Sequence, residues 1–98
     1  MSEKQFYVYM LASRIGGTHY IGVTSRLIER VSEHRDGVVA GFTKRYHVHR
    51  LVWFELHQTA EGAIRREKQM KEWRRAWKVK LIQERNPNWD DLYLGLVG

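Results

Sequence analysis

The first patterned run is QFYVYMLA, residues 5–12, rich in aromatic and β-branched side chains. As a pleated strand it would set Tyr7, Tyr9 and Leu11 on one face. The turn-prone stretch SRIGGT follows, and then HYIGV, residues 19–23, a second β-like run in which Tyr20 and Gly22 share a face. Together they predict a β-hairpin. Thr24 or Ser25 offers an N-cap for the next segment, RLIERVSEHRDG, which spaces Leu27, Val31 and His34 at helical intervals before Gly37 ends the helix.

Beyond it, GVVAGFTKRYHVH carries glycines, polar and basic residues without a period, which predicts a mobile loop. RLVWFEL, residues 50–56, reads as a third strand. Thr59 can cap a second helix from Ala60 to about Trp73, and a third helical stretch runs from about Arg74 to Arg85, where Asn86 and Pro87 end it. The pattern leaves open whether these two stretches form one bent rod. Trp89, Leu92 and Tyr93 in the tail are expected to pack back on the rest. The order β-β-α-β-α-α predicts a mixed α/β fold, a small three-stranded, largely antiparallel sheet flanked by helices, in one domain over residues 1–98.

Composition supports a folded chain, since 43% hydrophobic and 12% aromatic residues supply enough surface to bury. Cysteine is absent, which excludes disulfides and thiolate metal sites. No secretory signal and no apolar run of membrane-spanning length appear, so a cytoplasmic protein without a membrane partner is expected. The net charge of +6 is uneven: residues 64–85 hold nine Lys or Arg against three Glu and so carry the whole excess. A local basic field of this kind attracts polyphosphate, although a solvated, ion-paired helix face is the commoner origin of such runs.

Two helical stripes carry charge where apolar residues belong. In the second helix Ala60, Ala63, Ile64, Glu67 and Met70 share a face, which would turn the Glu67 carboxylate toward the sheet. In the first, Arg30 and His34 share a face with Leu27 and Val31. A carboxylate that can hold a metal, a guanidinium and an imidazole are all useful on phosphate. Structural explanations compete: a buried Arg30–Glu67 ion pair, a hydrogen-bonded core histidine, and aromatic pairing across the hairpin.

The ordered set resembles the GIY-YIG nuclease superfamily, in its small stand-alone, URI-domain type. The two family tripeptides correspond to Tyr7-Val8-Tyr9 and Tyr20-Ile21-Gly22; Arg30 stands ten positions after Tyr20, His34 follows it by four, and Glu67 lies within AIRREKQMKEW. Tyr7 replaces the glycine of the first tripeptide, and Val23 stands where some members have a lysine. Asn86 lies farther along than the asparagine of larger members, and an Asn before Pro is also a helix terminator.

The resemblance implies a metal-dependent endonuclease acting on DNA, directed by structure or single strands rather than by sequence. Tyr9, Tyr20, Arg30, His34 and Glu67 would be its catalytic residues. Glu67 would hold one Mg²⁺ or Mn²⁺, Arg30 would neutralise the phosphate, and Tyr9 would act on the water beside His34, with Tyr20 orienting water or phosphate; the reverse assignment of the tyrosines is also open. Lys44, Arg45, Arg65, Lys68, Lys71, Arg74, Arg75 and Lys78 would follow the nucleic-acid backbone. No small-molecule cofactor is expected. Trp73 and Trp77 could stack on unpaired bases, with core packing as their first explanation. The competing function is a non-catalytic nucleic-acid-binding module on the same fold.

Overall fold

The computed structural model describes residues 4–38 and 41–97; residues 39–40 of the expected loop and the last residue of the tail lie outside them. Its strands are β1 (Phe6–Ala12), β2 (His19–Thr24) and β3 (Arg50–His57). Among the described residues five helices accompany them: α1 (Leu27–Arg35), α2 (Phe42–Arg45), α3 (Ala60–Glu72), α4 (Arg75–Arg85) and α5 (Tyr93–Val97). The sheet is antiparallel throughout, in the order β2-β1-β3, so the mixed α/β expectation holds. The hairpin register pairs Tyr9 with Gly22 and Leu11 with Tyr20, and a bulge between Met10 and Leu11 interrupts the pairing with β3.

Strand alternation gives β1 two buried faces. Val8, Met10 and Ala12 pack with Ile21, Val52, Trp53, Ala63 of α3, Met70 of α3, Ile82 of α4 and Trp89. Tyr9 and Leu11 point the other way and pack with Leu27 and Val31 of α1, Val48 and Leu51. Helices α3 and α4 thus cover one face, and α1 covers the other together with the tail residues Leu92 and Tyr93. A central strand buried on both sides accounts for the near-continuous apolar character of FYVYMLA.

Thr59 caps α3 as predicted, its hydroxyl accepting the Gly62 N–H at 3.0 Å. The expected cap of α1 does not form: Arg26 is the N-cap and makes no side-chain capping bond, while the Thr24 hydroxyl accepts the Arg26 N–H just upstream. Extended backbone at Trp73 and Arg74 separates α3 from α4. A continuous rod would carry the α3 stripe on through Arg74; the break instead lets Ile82 enter the core and Val79 and Leu81 pack against it.

Two other expectations are corrected. The predicted mobile loop contains the helical turn α2, and within it Thr43 and Val48 are buried, at 3% and 0% exposure. Ile64 does not join the core and is 43% exposed, because Ala63 and Met70 define the centre of the buried stripe and Ile64 falls on its flank. The tail packs back through buried Trp89 and is fastened by Asp91, which accepts the Leu51 and Tyr93 N–H groups and pairs with Arg35 of α1.

Candidate functional site

Tyr9, Tyr20 and His34 form a cluster on the α1 face of the hairpin. Their rings lie 5.4 to 6.3 Å apart, centre to centre. Alternation aims Tyr9 at this face, and the missing side chain of its partner Gly22 makes room: a Cβ built there would lie 2.5 Å from the Tyr9 hydroxyl oxygen. The final glycine of Tyr20-Ile21-Gly22 is therefore a steric requirement of the tyrosine opposite. Tyr7 stands outside the cluster, with its hydroxyl donating to Gln5 and its ring against Phe54.

The Tyr9 hydroxyl lies 3.1 Å from His34 Nε2, and His34 Nδ1 lies 2.9 Å from the Thr43 hydroxyl. Both ring nitrogens are thus engaged, and in a neutral imidazole one donates while the other accepts. Burial lowers the His34 pKa from its ordinary value, assisted by the Arg30 charge and opposed by Glu33, so the neutral ring is favoured. Thr43 was missed by sequence reasoning, because it sits in the segment read as an aperiodic loop.

Burial also pushes the Tyr9 phenol up to about 12, with Tyr20 and the Glu67 charge adding to the rise and the adjoining Arg30 guanidinium opposing it. Tyr9 thus senses both Arg30 of α1 and Glu67 of α3, although these helices cover opposite faces of the sheet. The geometry of α3 explains this. Its Arg66 flank reaches Glu55 on β3, at 3.1 Å, so the Glu67 flank is turned toward the opposite edge, β2.

The Arg30–Glu67 ion pair, one of the competing structural explanations, does not form. Arg30 pairs with Glu33 at 3.4 Å, Glu67 pairs with Lys71 at 3.3 Å, and the Glu67 side chain retains 19% exposure. Among the described residues no group of three or more His, Cys, Asp or Glu converges, so an ion held at Glu67 would have at most two such protein ligands. One carboxylate completed by water and substrate phosphate suits Mg²⁺ or Mn²⁺, which keep much of their water when bound.

Residues 5–80, which span the hairpin, α1, β3 and α3, match a known profile, that of the GIY-YIG catalytic domain. The chain belongs to the GIY-YIG family. That family makes up a nuclease superfamily, generally metal-dependent, whose substrates are nucleic acids. Similar chains include a UPF0213 protein of Staphylococcus saprophyticus, 32% identical over 80% of this chain and 94% of its own length. A UPF0213 protein of Staphylococcus aureus is 39% identical over 70% of this chain and 84% of its own length. The solution NMR structure of a UPF0213 protein from Bacillus halodurans superposes with a TM-score of 0.55 at 28% identity, covering 89% of this chain and 92% of that one.

The other residues singled out within this GIY-YIG chain fall into distinct settings. Asn86 is a structural tie: its amide donates to the Val52 and Asp90 carbonyls and accepts the Asp90 N–H, which accounts for its burial and for the end of α4. Arg75, exposed, also bonds the hairpin turn through the Gly16 and Gly17 carbonyls and approaches His19. Lys78 is half-buried, and its charge reaches His19. Lys44, Arg45, Arg65, Lys68 and Arg74 are exposed, and Lys71 is the partner of Glu67. Trp73 packs against the core with the Arg66 guanidinium 5.1 Å from its ring centre, whereas Trp77 is 54% exposed, against the core-packing expectation. Among the described residues no helix is long and apolar enough to cross a membrane.

Proposed function

We propose that this chain is a metal-dependent endonuclease that hydrolyses phosphodiester bonds in DNA, directed by structure or by single strands rather than by sequence. The observation that carries the reading is the Tyr9 hydroxyl, held 3.1 Å from His34 Nε2 in the cluster that Tyr20 completes. Hydrolysis requires a proton acceptor for water, a cation for the phosphate and help for the leaving oxygen.

Tyr9 takes the proton of the attacking water while its own hydroxyl proton passes to His34 Nε2. Thr43, 2.9 Å from Nδ1, holds the imidazole in line, and in this reading its hydroxyl accepts from Nδ1–H so that Nε2 is the acceptor. A phenol at about 12 is a poor base in the free protein, so this coupled transfer, with Arg30 favouring phenolate character, is what makes Tyr9 competent. Arg30 then neutralises the phosphoryl oxygens by forked hydrogen bonds, after exchanging its weak contact with Glu33. Glu67 would hold one Mg²⁺ or Mn²⁺, whose charge stabilises the phosphate and the leaving oxygen when bound and offsets the carboxylate charge that raises Tyr9.

Tyr9 is only 1% exposed, whereas Tyr20 is half-buried, and this favours a second division of labour in which Tyr20 meets the water and Tyr9 positions His34. Single-turnover cleavage by Tyr9→Phe and Tyr20→Phe separates them: loss of the chemical rate with binding retained marks the base.

The function itself is tested by titrating Mg²⁺ and Mn²⁺ with plasmid, single-stranded DNA and RNA, alongside Glu67→Ala and a chelator control. Cleavage of DNA that disappears with chelator and with Glu67→Ala is the expected result. Binding without cleavage at any metal concentration would instead identify the non-catalytic binding module.

A further inference from the structure

Helix α2 is a single turn, yet it and the residue that caps it carry two large aromatic side chains that the fold leaves in the open. Phe42 is 45% exposed and Tyr46, which follows the helix, is 47% exposed. Their spacing brings the rings to 4.9 Å between centres with a 49° tilt. Such an i, i+4 pair helps hold a short helix together, but that accounts for the contact between the rings and not for their bare outer faces. Between them Lys44 and Arg45 are exposed, and the Arg45 guanidinium lies 5.5 Å from the Tyr46 ring centre. Gly41, Phe42, Lys44, Arg45 and Tyr46 together line a shallow concavity, with no acidic side chain among these lining residues.

The turn is also joined to the candidate site. Thr43, between the two aromatics in sequence, is turned inward to 3% exposure, and its hydroxyl lies 2.9 Å from His34 Nδ1. One short segment therefore presents aromatic and basic groups to solvent while its inward residue holds the histidine bonded to Tyr9. Flat rings beside cations suit a strand whose bases are unpaired, because every base has a face to stack and every nucleotide a phosphate to attract. A duplex, with its bases already stacked, would meet only the cations.

We propose that Phe42 and Tyr46, flanked by Lys44 and Arg45, form a stacking platform for an unpaired nucleobase of the strand that enters the Tyr9–His34 site. The substrate class rests on the nuclease reading above. The platform makes single strands, or duplexes with unpaired nucleotides at the cut, the preferred ligands.

The test uses the wild-type protein in chelator, where binding is read without cleavage. The probes are a labelled oligodeoxythymidylate and a blunt duplex of the same length. Phe42→Ala and Tyr46→Ala should each weaken single-strand binding by about 5- to 100-fold while changing duplex binding by less than about twofold. Phe42→Trp should retain single-strand affinity, and Lys44→Ala and Arg45→Ala should weaken both ligands and reduce the salt dependence. Thermal unfolding of each variant confirms that the exposed substitutions leave the fold intact. Single-strand affinity unchanged in both alanine variants, or an equal loss for duplex, overturns the platform. If those variants bind normally and metal-dependent cleavage persists, the platform fails and the nuclease reading stands; if the wild type neither binds nor cleaves, both fail.

Discussion

The two faces of the sheet are built from opposite materials. Toward α3 and α4, β1 presents Val8, Met10 and Ala12 to an apolar cluster closed by Met70, Ile82 and Trp89. Toward α1 it presents Tyr9 and Leu11, and that side also buries the polar chain Tyr9, His34 and Thr43. In a poorly solvated setting each such polar group must find a partner, and each hydrogen bond is electrostatically stronger than in water. The comparison teaches that alternation along one strand lets a chain of this size gather an apolar core on one side of seven residues and a hydrogen-bonded polar cluster on the other.

The sharpest way to break the distinction is Tyr9→Phe, which keeps the ring and removes only the hydroxyl. Cleavage should fall by about 10²- to 10⁴-fold in single-turnover assays, as expected for loss of a positioned proton acceptor, while stability in urea falls by about 1–3 kcal/mol because buried His34 Nε2 loses its partner. Next in size, Met70→Ala on the other face should cost about 2–5 kcal/mol in urea unfolding while leaving the rate per folded molecule intact. A comparable loss of rate in that variant would show that the faces are not separable.

Gly22→Ala should strike both properties, because its Cβ must displace the Tyr9 phenol. Destabilisation of about 1–3 kcal/mol together with reduced cleavage is expected from such overpacking; a variant with wild-type stability and activity would remove the steric role assigned to Gly22. The smallest effect is on pH dependence. His34 and His19 both have pKa values lowered from 6.5, each first by burial, then His34 by Arg30 and His19 by Arg75 and Lys78. Both stay neutral in the fold where the unfolded chain binds protons, so stability is fully present above pH 6.5 and declines as pH falls through the window below it. Thermal unfolding midpoints measured across that range should flatten in part with His34→Gln and retain the share due to His19.

Much of this arrangement was legible beforehand. Periodicity located the hairpin, β3, α3 and the core positions Val31, Ala63 and Met70, because each lies in an element long enough to repeat. The tyrosines, Arg30, His34 and Glu67 stood out through their order and spacing. Thr43 did not, since a single helical turn in a segment of glycines and basic residues has no period to detect. Ile64 misled because an idealised stripe is wider than the strip of α3 that the sheet covers, and the bonds of Arg75 to two carbonyls of a distant turn leave no signal in a charged run. Asp91 and Asn86 act through backbone groups far along the chain, which no local pattern encodes.

What the chain determined by itself is the kind of element at each stretch and the inventory of chemical groups, since both follow from side-chain shape and short-range spacing. Which groups meet was decided by tertiary structure. Only the order β2-β1-β3 and the orientation of α3 turn Glu67 toward the β2 edge, and only the folding-in of α2 brings Thr43 to His34. Contacts between residues remote in sequence depend on how elements pack, and packing is a property of the whole core rather than of any segment.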